Sequence, residues 1–391
     1  MSLKVLIIGN GIAGIEAALN IRTQLESADI SVISSCNHLL YYRPRLIEYL
    51  KGNLNLQNFT IYKPDYYQQK NIKNILSEKI VDIDIKNQKI KSINNKIFSY
   101  DKLLIATGAS SFKPPLQGSN VEGVFALRSI NDAKNIMEFS NDKKEIVILG
   151  GGLLGIEIAY SLKKSNNKIT IVEMFDRLLP RQLDLDGANI LENILNEKGL
   201  NFILNNSVSS IISDNNKVKK VKLKNGDEIP SDCIIISAGI RPNIELAKNV
   251  GIETKRGILI NNNFQTSIEN IYSAGDCSEH NGHVYGLWSV SKEQGKLAGL
   301  SISGKRVDYK GSIPSTTLKV TGIDLFSSGH FDSAETDKVY TKKDNKSYLK
   351  IVIKDKKIIG AIALGNKQAI SDFKSVIEGR KELETIKDYF N

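Results

Sequence analysis

Cysteine is scarce and scattered. Cys36, Cys233 and Cys277 are the only three in 391 residues, and no two form a CxxC or CxxxxC pair. That excludes a disulfide framework and a local redox dithiol. Histidine is as sparse: of His38, His280, His283 and His330, only His280 and His283 are close, and the Asn281-Gly282 between them reads as a turn rather than a metal-binding spacing. No apolar run approaches the roughly 18–20 residues of a membrane span. Leu3 to Ile8 is apolar, but glycines interrupt it at once, so it reads as a strand and not a signal peptide. The chain is expected to be cytoplasmic, with no membrane partner. No low-complexity linker and no dense arginine tract occurs.

Charge is plentiful and lopsided. Lys plus Arg is 53 against 43 Asp plus Glu, a net +10. The excess is mostly lysine in polar stretches such as Lys86–Lys96 and Lys338–Lys357, the pattern of a solvated surface rather than of nucleic-acid binding. An acidic protein partner is compatible with it.

Two stretches share one grammar. Lys4–Ile8 reads as a buried strand, Gly9-Asn-Gly-Ile-Ala-Gly14 as a tight turn, Ile15–Leu25 as a helix and Ile30–Ile33 as the next strand. Glu145–Leu149, Gly150-Gly-Gly-Leu-Leu-Gly155, Ile156–Lys164 and Ile169–Val172 repeat it. In G-x-G-x-x-G the first glycine (Gly9, Gly150) makes the turn. The second (Gly11, Gly152) admits a pyrophosphate to the backbone, and the third (Gly14, Gly155) lets helix and strand touch. Two such units predict two dinucleotide sites. Glu173 ends the strand after the second turn, where a carboxylate accepts from a ribose 2′-OH and repels a 2′-phosphate; NADH is therefore expected over NADPH, with Arg177 nearby as the opposing influence. The corresponding strand of the first unit ends Ser34-Ser35-Cys36, where only hydroxyls could meet a ribose.

Between and beyond these units, Ile80–Ile85, Lys89–Ile93 and Lys96–Ser99 predict one β-meander. Val208–Ile212 and Val218–Leu223 predict another. Leu318–Val320, Tyr348–Ile353, Ile358–Ala363 and a helix over Lys367–Ile377 predict a small α+β C-terminal domain. The expected fold is α/β, with two Rossmann-like dinucleotide-binding domains, each carrying a meander, plus that domain. The expected boundaries are 1–111 and 240–312 for the first domain, 112–239 for the second and 313–391 for the last.

Leu103-Leu-Ile-Ala-Thr-Gly-Ala109, Ser237-Ala-Gly-Ile-Arg-Pro-Asn243 and Ile271-Tyr-Ser-Ala-Gly-Asp-Cys277 stand in the order in which the FAD/NAD(P)-dependent pyridine nucleotide-disulfide oxidoreductase superfamily carries similar blocks. Tyr41-Tyr-Arg-Pro-Arg-Leu46 and Leu318–Gly329 resemble NADH:rubredoxin oxidoreductases and the flavoprotein part of assimilatory nitrite reductases. The resemblance implies FAD on the first turn and NADH on the second. It places Thr107, Gly108, Gly239 and Gly275 in cofactor-binding turns, Asp276 on the ribityl chain, Arg43, Pro44 and Trp288 near the isoalloxazine, and Glu157 facing the nicotinamide. Two departures stand out. Cys36 falls where relatives carry the acidic ribose partner, at the adenosine end of the cofactor, so it reads as a structural thiol rather than a redox one. Glu48 falls where ferredoxin-reducing relatives have a lysine near flavin N5, which implies a different flavin potential.

With no redox thiol expected, NADH would reduce the flavin and the flavin would serve a small one-electron carrier, rubredoxin first. The alternatives are an NADH oxidase or peroxidase, a nitrite-reductase-type flavoprotein subunit, and a redox sensor.

Overall fold

The structure is a computed structural model that describes residues 2–52, 59–312, 315–320, 322–331, 336 and 338–390. Of the Leu318–Gly329 block, Thr321 lies outside the described residues. The chain divides into two compact units: Met1–Arg45, Leu54–Ser110 and Ile240–Ser312 form one, and Leu46–Asn53, Ser111–Gly239 and Ile313–Asn391 the other. Glu48 and the C-terminal residues thus group with the second unit. Among the described residues no helix is long and apolar enough to cross a membrane.

The first unit is built on a five-stranded parallel sheet in the order Ile271–Ser273, Lys102–Ile105, Lys4–Ile8, Asp29–Ile33, Ile72–Ile75. Its central strands are continuous apolar runs because both faces are covered. Val5, Ile7, Ile30 and Val32 face the core shared with the Ile12–Gln24 and Trp288–Ile302 helices, while Leu6, Ile8, Leu103 and Ile105 face the meander side. That meander, Ile80–Asp84, Lys89–Ser92 and Ile97–Ser99, is antiparallel, as read from its Asn-rich turns.

The two helices on the core side touch closely. A Cβ on Gly295 would lie 2.3 Å from the Ala13 carbonyl oxygen, and one on Gly299 2.6 Å from that of Ala17. Only glycine opposite alanine permits that approach.

The second unit repeats the plan: Leu200–Ile203, Lys168–Val172, Glu145–Leu149, Cys233–Ile236 and Val124–Ala126 form a parallel sheet in that order. Val208–Asp214, Lys217–Leu223 and Glu228–Pro230 are its meander. Its C-terminal part is an antiparallel sheet, ordered Ser315–Val320, Ile323–Gly329, Lys357–Leu364, Tyr348–Lys354, Lys338–Lys343, with the Lys367–Ile377 helix packed on one face. Asp184, which caps the Leu185–Glu197 helix through the Gly187 N–H, also accepts from the Tyr348 hydroxyl at 2.6 Å and the Lys350 ammonium at 2.7 Å.

Cys233, in its strand, and Cys277, in the turn after Ile271–Ser273, are fully buried, and burial pushes the Cys233 thiol up to about 12.

Candidate functional site

Each parallel sheet ends at a glycine turn of the same build. Gly9 has φ +115°, and a Cβ there would lie 2.1 Å from the Ala106 carbonyl oxygen. Gly150 has φ +116° and would meet the Ser237 carbonyl oxygen at 2.4 Å. At Gly14 and Gly155 a Cβ would fall 2.0 Å from the carbonyl oxygen of Gly9 and of Gly150 respectively, so helix and turn are in direct backbone contact. Gly11 and Gly152 have nothing within 4 Å of an added Cβ. They are the N-caps of the Ile12–Gln24 and Leu153–Leu162 helices, and neither helix has a side-chain cap bond. Amide N–H groups and the positive end of a helix dipole therefore face open space at both turns. That is the cradle a pyrophosphate fits.

Around the first turn, the buried Asn10 donates from Nδ2 to the His38 carbonyl at 2.7 Å and accepts from the Ser34 hydroxyl at 2.9 Å. Ser34 in turn accepts from the Cys36 N–H at 3.1 Å. Ser34 braces the turn, while Ser35 is exposed at the strand end. Cys36 is half-buried in the same loop, three residues beyond the strand. Further along, the Nε2 of His38 and the Nε of Arg43 are buried without a hydrogen-bond partner among the described residues. Buried polar atoms of this kind call for a polar partner. Arg43 and Pro44 lie in a 3-10 turn, Arg43–Arg45, and the Arg43 guanidinium sits 5.8 Å from the Tyr41 ring. The Trp288 ring stands edge-on to Tyr42, centroids 5.0 Å apart.

Two further loops of this unit converge. Thr107 donates to the Asn243 carbonyl at 2.8 Å, and the Asn243 side chain donates back to the Thr107 carbonyl at 2.9 Å. Gly108, at φ +67°, faces open space. Gly275, at φ +86°, donates its N–H to Gln294 Oε1 at 2.9 Å, and Asp276 accepts from the Ser291 hydroxyl at 2.8 Å. Ser291 and Gln294, which hold this turn in place, are residues that the sequence reading passed over. With Trp288 they stand at i, i+3 and i+6 of one helix, a spacing that could have singled them out.

At the second turn Glu173 is buried, and its carboxylate accepts from the Gly151 N–H at 2.6 Å and the Phe175 N–H at 2.9 Å. The acid is thereby fixed beside the phosphate cradle. Arg177 is held by the Leu183 carbonyl at 3.2 Å and by Asp176 at 3.0 Å. Met174 and Phe175 are exposed. Gly239, at φ +93°, has nothing within 4 Å of an added Cβ.

Glu157 lies in the helix that starts at this second turn. Burial pushes its carboxyl up to about 7, with Lys51 opposing the shift. The Lys51 ammonium sits 5.0 Å over the ring of Tyr160, three residues on from Glu157. Glu48, on the Leu46–Leu50 helix, is exposed.

The two turns fit FAD and NADH as the resemblance assigns them. The open second glycines, the unpartnered buried nitrogens of His38 and Arg43, and the fixed Glu173 carboxylate are the features that match.

Residues 3–295 match the family model for pyridine nucleotide-disulphide oxidoreductases, and residues 314–381 that for the rubredoxin NAD+ reductase C-terminal domain. The chain is 34% identical over 385 residues to the NADH-rubredoxin oxidoreductase of Clostridium acetobutylicum, covering 98% of this chain and 97% of that one. The crystal structure of NADH:rubredoxin oxidoreductase from the same organism superposes with a TM-score of 0.82 at 33% identity over the whole of both chains. The NAD(P)H nitrite reductase of Bacillus subtilis is 32% identical over 97% of this chain, and the chain spans about half, 48%, of that longer protein.

Proposed function

The chain belongs to the pyridine nucleotide-disulphide oxidoreductase family, and we propose that it is an NADH-dependent flavoprotein oxidoreductase that passes electrons to a small acidic one-electron carrier, with rubredoxin the leading candidate. The observation that carries the reading is the duplicated turn: two open second glycines at two helix N-termini, one with a fixed acid beside it and one without.

Gly9, Gly11 and Gly14 would hold the FAD pyrophosphate, with Thr107, Gly108, Gly275 and Asp276 on the neighbouring loops and Arg43, Pro44 and Trp288 toward the ring. Gly150, Gly152 and Gly155 would hold that of NADH, with Gly239 on a neighbouring loop. When bound, the flavin supplies the conversion between a two-electron hydride donor and single-electron acceptors. The protein's part is position and field. Glu173 offers acceptor oxygens to ribose hydroxyls and repels a 2′-phosphate. Ser291 orients the Asp276 carboxylate. Glu157, titrating near neutrality, sets the local charge facing the nicotinamide. Glu48, exposed on the Leu46–Leu50 helix, would add negative potential where ferredoxin-reducing relatives carry a lysine.

Anaerobic NADH titration of the flavin-loaded protein, followed by rubredoxin, ferredoxin, peroxide or oxygen, tests the reading. Fast reoxidation by rubredoxin is expected. Fast reoxidation by peroxide or oxygen alone would replace it with an oxidase or peroxidase. A second reading, a flavoprotein module serving a larger nitrite-reducing assembly, is favoured by the half-length match to the Bacillus subtilis enzyme. It predicts slow turnover with rubredoxin and fast turnover with a nitrite-reducing partner.

A further inference from the structure

Residues 338–357 hold eight lysines and two aspartates, an excess of six charges in twenty residues of a chain whose whole net charge is +10. Some of these lysines have evident structural duties. Lys343 pairs with Asp186 at 3.0 Å and Lys350 with Asp184 at 2.7 Å. Lys342 and Lys346 lie at that same end, next to Lys343 and the Asp344 turn, while Lys338, Lys354, Lys356 and Lys357 gather at the other end of the sheet, at the hairpin that joins Tyr348–Lys354 to Lys357–Leu364. There Lys356 and Lys357 are exposed at the tip, and the exposed Lys338 is paired in register with Ile353, next to the tip.

This tip breaks two rules of hairpin stability. Its two loop residues, Asp355 and Lys356, have φ +50° and +59°, so both are left-handed, the type I′ arrangement. That turn is ordinarily built from Asn-Gly or Asp-Gly, because a side chain in the left-handed region crowds the following carbonyl. A lysine occupies the position where glycine would relieve the strain. In addition, Lys354 and Lys357 are direct cross-strand partners, a like-charge pairing that weakens a hairpin. Local stability is given up twice in four residues, each time in favour of positive charge. Sequences that depart from local rules in this way concentrate at functional surfaces.

We infer that the Lys354–Lys357 hairpin tip, with Lys338 beside it, is a docking surface for the acidic face of the protein that takes electrons from this flavoprotein. The inference rests on the proposed function and adds the surface that function would use. Asp355 contributes one negative charge to the tip, so the surface remains basic on balance. Clustered ammonium groups on an exposed hairpin raise the encounter rate with an anionic partner and orient it, an effect that salt screens over about 8–10 Å.

The test uses the full-length, flavin-loaded protein and a small acidic rubredoxin. Three proteins are compared: wild type, Lys356→Gly, and the double charge reversal Lys356→Glu/Lys357→Glu. Stopped flow measures the second-order rate of rubredoxin reduction at low and high salt, with a neutral quinone as control acceptor and flavin reduction by NADH as internal control. The double reversal is expected to slow rubredoxin reduction about tenfold at low salt and to converge with wild type at high salt, leaving both controls unchanged. Lys356→Gly is expected to raise the thermal midpoint by a few degrees while slowing rubredoxin a few-fold at low salt. That opposite movement of stability and rate is one that damage to the fold would not produce.

Equal rubredoxin rates in all three proteins at low salt would overturn the inference while leaving the proposed function standing. So would an equal loss with the quinone, or a lowered midpoint in Lys356→Gly. Weaker retention of the variants on DNA, with unchanged rubredoxin rates, would assign the tip to polyanions instead. A wild type that reduces no rubredoxin at all would remove the proposed carrier and this surface together.

Discussion

Gln294 holds Gly275 by a single atom: its Oε1 accepts the Gly275 N–H at 2.9 Å and the Ser278 hydroxyl at 3.1 Å, while its Nε2 donates to the Tyr309 hydroxyl at 3.3 Å. The Tyr309 oxygen continues to Ser312 at 2.7 Å, and Ser312 donates to Glu293 at 2.7 Å. Gly275, at φ +86°, thus has its geometry fixed by a buried amide 19 residues away in sequence and adjacent in space.

Gln294→Leu should therefore release the Gly275–Asp276 turn. The expected outcome is flavin affinity reduced by about tenfold, corresponding to the loss of one buried hydrogen bond of roughly 1.5 kcal/mol. Fluorescence titration of the apoprotein with FAD measures it. Unchanged affinity would mean that the turn keeps its shape unaided.

Glu173→Ala should act on the other cofactor. The carboxylate is lost both as a ribose acceptor and as the partner of the Gly151 and Phe175 N–H groups. NADH binding should weaken by about tenfold or more, and discrimination against NADPH should relax, with flavin content unaffected. Steady-state KM values for the two nucleotides, measured on the same preparation, provide the readout.

Glu157→Gln should flatten a pH dependence. With its carboxyl raised from 4.5 to about 7, Glu157 is neutral below that pH and anionic above it. An anionic carboxylate favours the positive nicotinamide of NAD+, so the dissociation constant of NAD+ should fall as pH rises through about 7 in wild type and stay level in the glutamine variant. Stability follows the opposite course. A carboxyl whose folded value lies above its unfolded one binds more protons when folded, so its contribution fades between pH 4.5 and about 7. Glu157→Gln should gain on wild type across that window by up to about 3 kcal/mol, read as the difference in denaturation midpoints at pH 5 and pH 8.

Asp184→Ala should loosen the C-terminal sheet from the Leu185–Glu197 helix. Burial raises this carboxyl, but the bonds from Lys350, Tyr348 and Gly187 outweigh it and hold it below the usual aspartate value. Its contribution is therefore present above the unfolded value of 3.8 and lost as pH falls through the lower folded one. At neutral pH the substitution should cost about 3 kcal/mol, because it removes the Lys350 ion pair, the Tyr348 bond and the helix cap together from a half-buried site. Denaturant unfolding at pH 7 and in acid separates the two regimes: the difference between variant and wild type should shrink in acid.

Much of the fold was legible because its strands are short apolar runs bounded by glycine and asparagine. Glu145–Leu149 and Lys367–Ile377 fall where the sequence pattern puts them. The helices after the glycine turns were read too short at their starts. They begin at Ile12 and Leu153 rather than Ile15 and Ile156, because Gly14 and Gly155 lie inside the helix. A glycine looks like a helix breaker until its close contact with the strand is known. Several elements went unread, among them the Ile130–Ser140, Leu185–Glu197 and Trp288–Ile302 helices and the Ile72–Ile75, Ile323–Gly329 and Lys338–Lys343 strands. Lys338–Lys343 is an edge strand that is mostly exposed, so it lacks alternation altogether. Within the site, the glycines and Glu173 announce themselves by spacing. Ser291 and Gln294 do not, since their value depends on a turn that only tertiary structure brings to them. The disposition of the Glu173 carboxylate, tied to two backbone amides, was likewise invisible in sequence.

The order of the first parallel sheet has a consequence for synthesis. Ile271–Ser273 is its last strand to be made and pairs with Lys102–Ile105, which emerges more than 160 residues earlier. The Trp288–Ile302 helix, which covers the Ile12–Gln24 helix, comes later still. A nascent chain of some 110 residues therefore displays its first glycine turn without the Asp276 loop or the helix that locks it. The first unit can close over a prosthetic group only after residue 302 has emerged from the ribosome, by which time the whole Ser111–Gly239 segment has been made. Truncations ending before that point should emerge colourless, and those ending shortly after it yellow.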